Sequence, residues 1–193
     1  AQAGKGLGSK THRAQMPYNF QVVNANYVNA YAFPGGSIAV TRGILLDLDS
    51  EDELAALLGH ELGHVNARHA AKQQSKGMLA QLGVAAVSIA ASTQGGLAGD
   101  LASNLGGLAS GALLSSYSRD NEREADALGQ EYMVRAGYPA NGMVGLQQLL
   151  VNQERESPGM LQTMFSTHPM SSERRDTARQ MAEGKYAASN KRD

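Results

Sequence analysis

From Tyr18 to Thr41 the chain is rich in Val, Ile, Tyr and Phe and poor in charge, with turn residues at Asn24-Ala25-Asn26 and Pro34-Gly35-Gly36. Such runs predict three short strands, about 19–23, 27–33 and 37–41, in a small, mostly antiparallel sheet. After Asp49 the period becomes helical. Ser50 can cap a helix and Glu53 can reach back to it, while Leu54, Leu57, Leu58, Leu62 and Val65 recur on one face. Gly77 predicts where that helix stops. A later helix carries a stripe of Ala125, Leu128, Gly129, Tyr132 and Ala136 and ends before Gly137-Tyr138-Pro139. These elements make an α+β fold, mainly helical.

The chain of 193 residues suits one domain with a sizeable core. Residues 1–17 read as a flexible lead-in, 18–185 as a single domain and 186–193 as a tail. The start at Ala1, without Met, fits removal of a leader or longer N-terminus. Seventeen basic and eighteen acidic residues leave a net charge of −1, so nothing points to nucleic acid. Cysteine is absent, which fits an oxidising compartment and excludes disulfides, thiolate metal sites and cysteine nucleophiles. Residues 77–114 are dominated by Gly and Ala, with Asp100 their one charge. They read as helices packed on the core or in a multimer, with a membrane-adhering segment as the alternative.

Inside the first long helix lies His60-Glu61-Leu62-Gly63-His64. At about 100° per residue, His60 and His64 project from the same side one turn apart, with Glu61 beside them at the edge of the apolar stripe. Two such histidines can hold one zinc, and the Glu next to the first can reach a water on the metal. A catalytic zinc needs a third protein ligand. Ala70 stands where a third His of the metzincin pattern would fall, and no acid occurs between Glu61 and Asp100. The next candidates cluster in 117–126. Setting Ala125 at 0°, Glu122 falls near about +60° on the buried stripe, while Asp120, Glu124 and Glu131 fall on the solvent side. Asp126, one turn beyond Glu122, is placed to accept a hydrogen bond from the far nitrogen of a ligand His.

His60-Glu61-x-x-His64 followed by Ser118-Arg119-x-x-Glu122-x-x-Ala125-Asp126 resembles the zinc peptidase family of the CAAX prenyl endopeptidases and the HtpX heat-shock protease, in its soluble bacterial BepA/LoiP-like branch. Asn29 to Gly36 and Thr41-Arg42-Gly43 share the likeness, which spans roughly residues 18 to 180. The resemblance implies a zincin-like (gluzincin) fold, one zinc held by His60, His64 and Glu122, and Glu61 as general base. The prenyl-protease and HtpX branches carry several transmembrane helices, of which this sequence has no convincing one, so the likeness favours a periplasmic or envelope-associated endopeptidase in protein quality control. Its partners would be polypeptides bound in extended form along the strand Ser37–Thr41. Peripheral membrane association through 77–114 and the oligomeric state stay open. A metal-bound chaperone and a narrow-specificity processing peptidase are the alternatives.

Ser166-Thr167-His168-Pro169 resembles a His-Pro loop that lies near the metal in soluble members of that family. His168 then acts as a fourth ligand in a resting state or as a catalytic oxyanion stabiliser, against the plainer reading of a loop His capping the next helix. Continued helical register turns His69 away from His60 and His64 into a packing role, and His12 has no assigned role.

Overall fold

The computed structural model describes residues 2–91, 116–169 and 172–191. Strands β1 (Asn19–Val23), β2 (Ala30–Ala32) and β3 (Ser37–Thr41) form one sheet in the order β1-β3-β2. β3 runs parallel to β1, with Asn19 opposite Ser37, and antiparallel to β2, with Ala30 opposite Val40. The sheet is therefore mixed rather than mostly antiparallel. β2 lies on the far side of β3, so β1 and β3 are left running the same way. The middle position of β3 also corrects the expectation that Ser37–Thr41 offers a free edge. Its two sides are taken by neighbouring strands, and the outer strand nearest the site is β2.

Helix α1 (Gln2–Gly8) precedes the sheet, and α2 (Arg42–Asp47), α3 (Glu51–Ala67) and α4 (His69–Ala91) follow it. Then come α5 (Arg119–Arg135), α6 (Asn141–Glu156), α7 (Pro158–Thr167), α8 (Ser172–Glu183) and a 3₁₀ turn, Ala187–Asn190. Ile38 and Val40 of β3 meet Leu57, Leu58 and Leu62 of α3 in the core, which continues into Tyr132, Met133, Met143 and Leu150.

Ser50 caps α3, accepting from the Glu53 amide at 3.2 Å, while the Glu53 carboxylate accepts from the Asp49 amide at 2.8 Å. The helix does not run on to Gly77. Arg68 takes a left-handed conformation, φ 60 and ψ 35, and its amide closes on the carbonyls of His64 and Val65. A new helix then starts at His69 and passes through Gly77. Most of the Gly- and Ala-rich stretch 77–114, including Asp100, lies outside the described residues. Among the described residues no helix is long and apolar enough to cross a membrane.

Near both ends of the described residues the chain packs against the core, through α1 and through the 3₁₀ turn. Leu7 of α1 is fully buried, and Gly4 packs so tightly on Phe20 that a Cβ there would sit 2.6 Å from the ring. Such glycines let α1 lie flat on aromatic rings. His12, given no role above, places Nδ1 2.7 Å from the Tyr132 hydroxyl. At the other end Ser189 and Asn190 accept from the amides of Ala140 and Asn141 at 3.0 and 2.9 Å. They satisfy the first turn of α6, whose own cap residue, Ala140, has no side chain to do so.

Helices α3 and α5 cross in near backbone contact. A Cβ on Gly59 would lie 2.7 Å from the Gly129 carbonyl oxygen, one on Gly63 2.6 Å from that of Ala125, and one on Gly129 2.6 Å from the His60 amide nitrogen. Helix propensity alone favours Ala over Gly by about 1 kcal/mol. At this crossing the steric term opposes it, and overpacking costs about 1–3 kcal/mol. Gly129→Ala is therefore expected to destabilise the protein in urea unfolding, while Gly83→Ala, at an open position on α4, is neutral or stabilising. Equal responses of the two variants would show that the crossing does not require glycine.

Candidate metal centre

The crossing sets the α3 face bearing His60 and His64 against the α5 face bearing Glu122 and Asp126. His168, the residue that ends α7, comes in from a third side, and Arg174 of α8 from a fourth. Each of these side chains is buried, and Glu61 and Glu122 have no exposed surface at all. The structure thus brings together all six residues singled out in the sequence: His60, Glu61, His64, Glu122, Asp126 and His168.

His60 Nε2 lies 2.9 Å from His64 Nε2 and 3.4 Å from Glu122 Oε2, and His64 Nε2 lies 3.0 Å from Glu122 Oε1. His168 Nδ1 is 3.0 Å from Glu122 Oε1 and 3.4 Å from His60 Nε2. Zinc at 2.0–2.1 Å from four tetrahedral donors sets those donors about 3.3 Å apart. The hydrogen bonds behind the cluster select the matching tautomers. His60 Nδ1 donates to Asp126 Oδ1 at 2.8 Å, and His168 Nε2 donates to the Ala30 carbonyl at 3.2 Å. Both partners only accept, so His60 Nε2 and His168 Nδ1 are the atoms left to offer lone pairs. Ligand atoms of His60, His64, Glu122 and His168 all lie within 4.8 Å of one another, and this donor set fits zinc.

Without a cation, protons balance the buried carboxylates. Burial would push His60 down, but Glu122 and Asp126 hold it up at about 10. Burial, reinforced by the charge on His60, pushes His64 down to about 3. Against the cost of burial, the charges of His168 and His60 keep Glu122 well below the usual carboxylate range. Arg174 does the same for Asp126, binding its two oxygens from Nε and Nη2 at 2.6 and 2.8 Å. Arg174 Nη1 also lies 2.8 Å from Glu122 Oε2, so one guanidinium orients both acids. Glu61 differs from these acids. Among the described residues neither of its oxygens has a hydrogen-bond partner, and burial raises its pKa.

Sequence reasoning gave no role to Arg174 or Tyr117 and only a packing role to His69. Arg174 shares a helical stripe with the buried Ala178 and Ala182, a register signal for a paired, buried cation. Tyr117 stacks on the His64 ring with centroids 4.0 Å apart, and no periodicity marks it because it precedes α5. His69 touches His64, with the two Nδ1 atoms 2.8 Å apart, rather than facing away. The left-handed turn at Arg68 brings it there, and an arginine does not announce such a turn. Beside the cluster, a cleft of about 370 Å³ opens between the β2–β3 turn and the end of α3, lined by Ala32, Phe33, Pro34, His64, Arg68 and Arg13.

Comparison with known proteins gives the cluster its context. The chain is 35% identical over 187 residues to the metalloprotease YcaL of Escherichia coli, covering 96% of this chain and 70% of that protein. It is 36% identical over 159 residues to the E. coli metalloprotease LoiP, covering 82% of this chain and 60% of LoiP. It is 34% identical over 188 residues to the beta-barrel assembly-enhancing protease of Yersinia pestis, covering 93% of this chain but only 37% of that one. The family description "Peptidase family M48" matches residues 2–182. With the buried histidine and glutamate cluster at its centre, the chain belongs to peptidase family M48 and is a zinc metalloendopeptidase.

Proposed function

We propose that this chain is the catalytic domain of an envelope protein-quality-control endopeptidase with a zincin-like (gluzincin) fold, using His60, His64 and Glu122 as zinc ligands and Glu61 as general base. The observation that carries it is the pairing of a complete donor cluster with a fully buried Glu61 whose two oxygens have no hydrogen-bond partner among the described residues. A buried carboxylate without a hydrogen bond, its ion-pair contact to His168 Nε2 a long 3.7 Å, is costly unless it has a task. When bound, zinc polarises the scissile carbonyl and lowers the pKa of water at the site. Glu61 accepts the proton from that water, and its raised pKa brings its proton affinity closer to what this step needs. It then passes the proton to the leaving amine. Asp126 keeps the Nδ1 proton of His60 in place, and Arg174 holds Glu122 and Asp126 at their angles.

The substrate runs extended along the outer edge of β2, whose Ala30 carbonyl already meets His168 at the cluster. The cleft beside Ala32 and His64 receives one of its side chains. Backbone pairing tolerates varied sequences, which suits the clearance of misfolded chains. YcaL and LoiP are named metalloproteases, and the Yersinia relative is named for enhancing beta-barrel assembly, a name that supports the envelope reading. Glu61→Gln is expected to retain one zinc per chain and to lose about 10²–10⁴-fold in casein cleavage. Glu122→Ala is expected to lose stoichiometric zinc. Equal cleavage by wild type and Glu61→Gln, or full zinc in Glu122→Ala, removes the respective assignment.

His168 supports a resting state. With its Nδ1 inside the donor cluster, four protein donors face one point, as in closed zinc sites, whereas a catalytic zinc keeps one position open. His168 must withdraw for turnover. His168→Ala is then expected to keep its zinc, measured by metal analysis, and to cleave casein faster than wild type. Slower cleavage with zinc retained would make His168 an oxyanion stabiliser. No cleavage by either protein would favour the closed, chaperone-like reading.

A further inference from the structure

The two ligand histidines on α3 are supported differently. His60 meets the Asp126 carboxylate directly. His64 meets a second imidazole: its Nδ1 lies 2.8 Å from His69 Nδ1, and His69 Nε2 lies 2.9 Å from Glu124 Oε2. The direction of each bond follows from the two ends. A carboxylate only accepts, so His69 Nε2 carries a proton. His64 Nε2 faces the donor cluster, so a His64 that ligates there carries its ring proton on Nδ1, and of the two Nδ1 atoms 2.8 Å apart that of His69 is the bare, accepting one.

We propose that His69 and Glu124 form a relay that holds His64 in its metal-binding tautomer, so that a carboxylate at the protein surface strengthens metal binding at a buried site. This rests on the reading of His64 as a zinc ligand. The Glu124 side chain is 54% exposed, while that of His69 is fully buried, so the chain of bonds runs from solvent to the centre. The relay also gives a reason for Arg68, the one non-glycine residue of positive φ among the described residues. A continuous α3 would carry residue 69 away from His64, and the left-handed turn brings it back, at the expense of a backbone conformation that L-residues other than Gly and Asn rarely adopt. His69 is here a positioning residue, and Glu124 acts through it.

The test measures zinc dissociation constants on the whole chain, by competition with a chromophoric chelator, for wild type, Glu124→Gln, His69→Phe, His69→Asn and the double variant His69→Asn with Glu124→Gln. Asn places an acceptor oxygen where His69 Nδ1 stood, but does not reach Glu124. His69→Phe is expected to weaken zinc binding on the order of 10–100-fold, and Glu124→Gln by several-fold, about 3–10. His69→Asn should recover most of the loss, and in that background Glu124→Gln should cost nothing further. A residue that merely filled space would show neither the rescue nor the lost coupling. Urea midpoints of the metal-free proteins identify a variant that fails to fold, in which case Glu124→Gln, alone and in the His69→Asn background, decides. Wild-type zinc affinity in Glu124→Gln, or the same loss from it in both backgrounds, overturns the relay alone. Absence of zinc from wild type overturns the relay together with the ligand assignment beneath it.

Discussion

The near contact of the α3 and α5 backbones is the constraint on which the site depends. His60 and His64 belong to one helix and Glu122 and Asp126 to the other, so the spacing of their donor atoms follows the spacing of the axes. Gly59, Gly63 and Gly129 leave no Cβ between the helices. A methyl group at any of them would meet the opposing backbone within 2.6–2.7 Å and push the axes apart. Donor separations of 2.9–3.4 Å leave little room for such a shift. The helix α3 therefore gives up propensity at two positions, and α5 at one, for a geometry that alanine cannot supply.

A second consequence follows from how much charge this arrangement buries. Glu61, Glu122, Asp126, His60, His168 and Arg174 are all nearly or fully buried, and each desolvated ion costs several kcal/mol unless it is answered. Arg174 answers two of the carboxylates, and protons on His60 and His168 answer the rest in the absence of a metal. A divalent cation held by His60, His64, Glu122 and His168 would displace those protons and supply the positive charge in their place. Folding and metal binding are thus coupled through the same buried charges. Glu61 is held least closely: its ion-pair contact, His168 Nε2, is 3.7 Å away, and among the described residues neither of its oxygens is hydrogen-bonded, so it is left able to exchange a proton.

Much of this site was legible from helical register. One period of 3.6 residues places His60, Glu61 and His64 together at the margin of an apolar stripe. The same period on α5 separates the buried Glu122 and Asp126 from exposed Asp120 and Glu124. That reading works because a helix states its faces locally, and a buried acid must share the apolar face. The same logic would have found Arg174, since it lies one turn before Ala178. His69 was beyond it. The register argument assumes an unbroken helix, and the break at Arg68 lacks the Gly, Asn or Pro that normally signals one.

By itself, then, the sequence determined the mainly helical α+β class, two helices whose inward faces carry the histidine and glutamate donors, and the absence of any thiolate alternative. Tertiary structure decided that β3 lies in the middle of a mixed sheet, that α1 and the 3₁₀ turn are tied to the core, and that His168 enters the donor cluster. It alone decided that His69 turns back onto His64. The first group follows from periodicity, which each segment carries in its own residues. The second depends on which surfaces meet and on single backbone angles, such as φ 60 at Arg68, whose cost is repaid only by contacts distant in sequence.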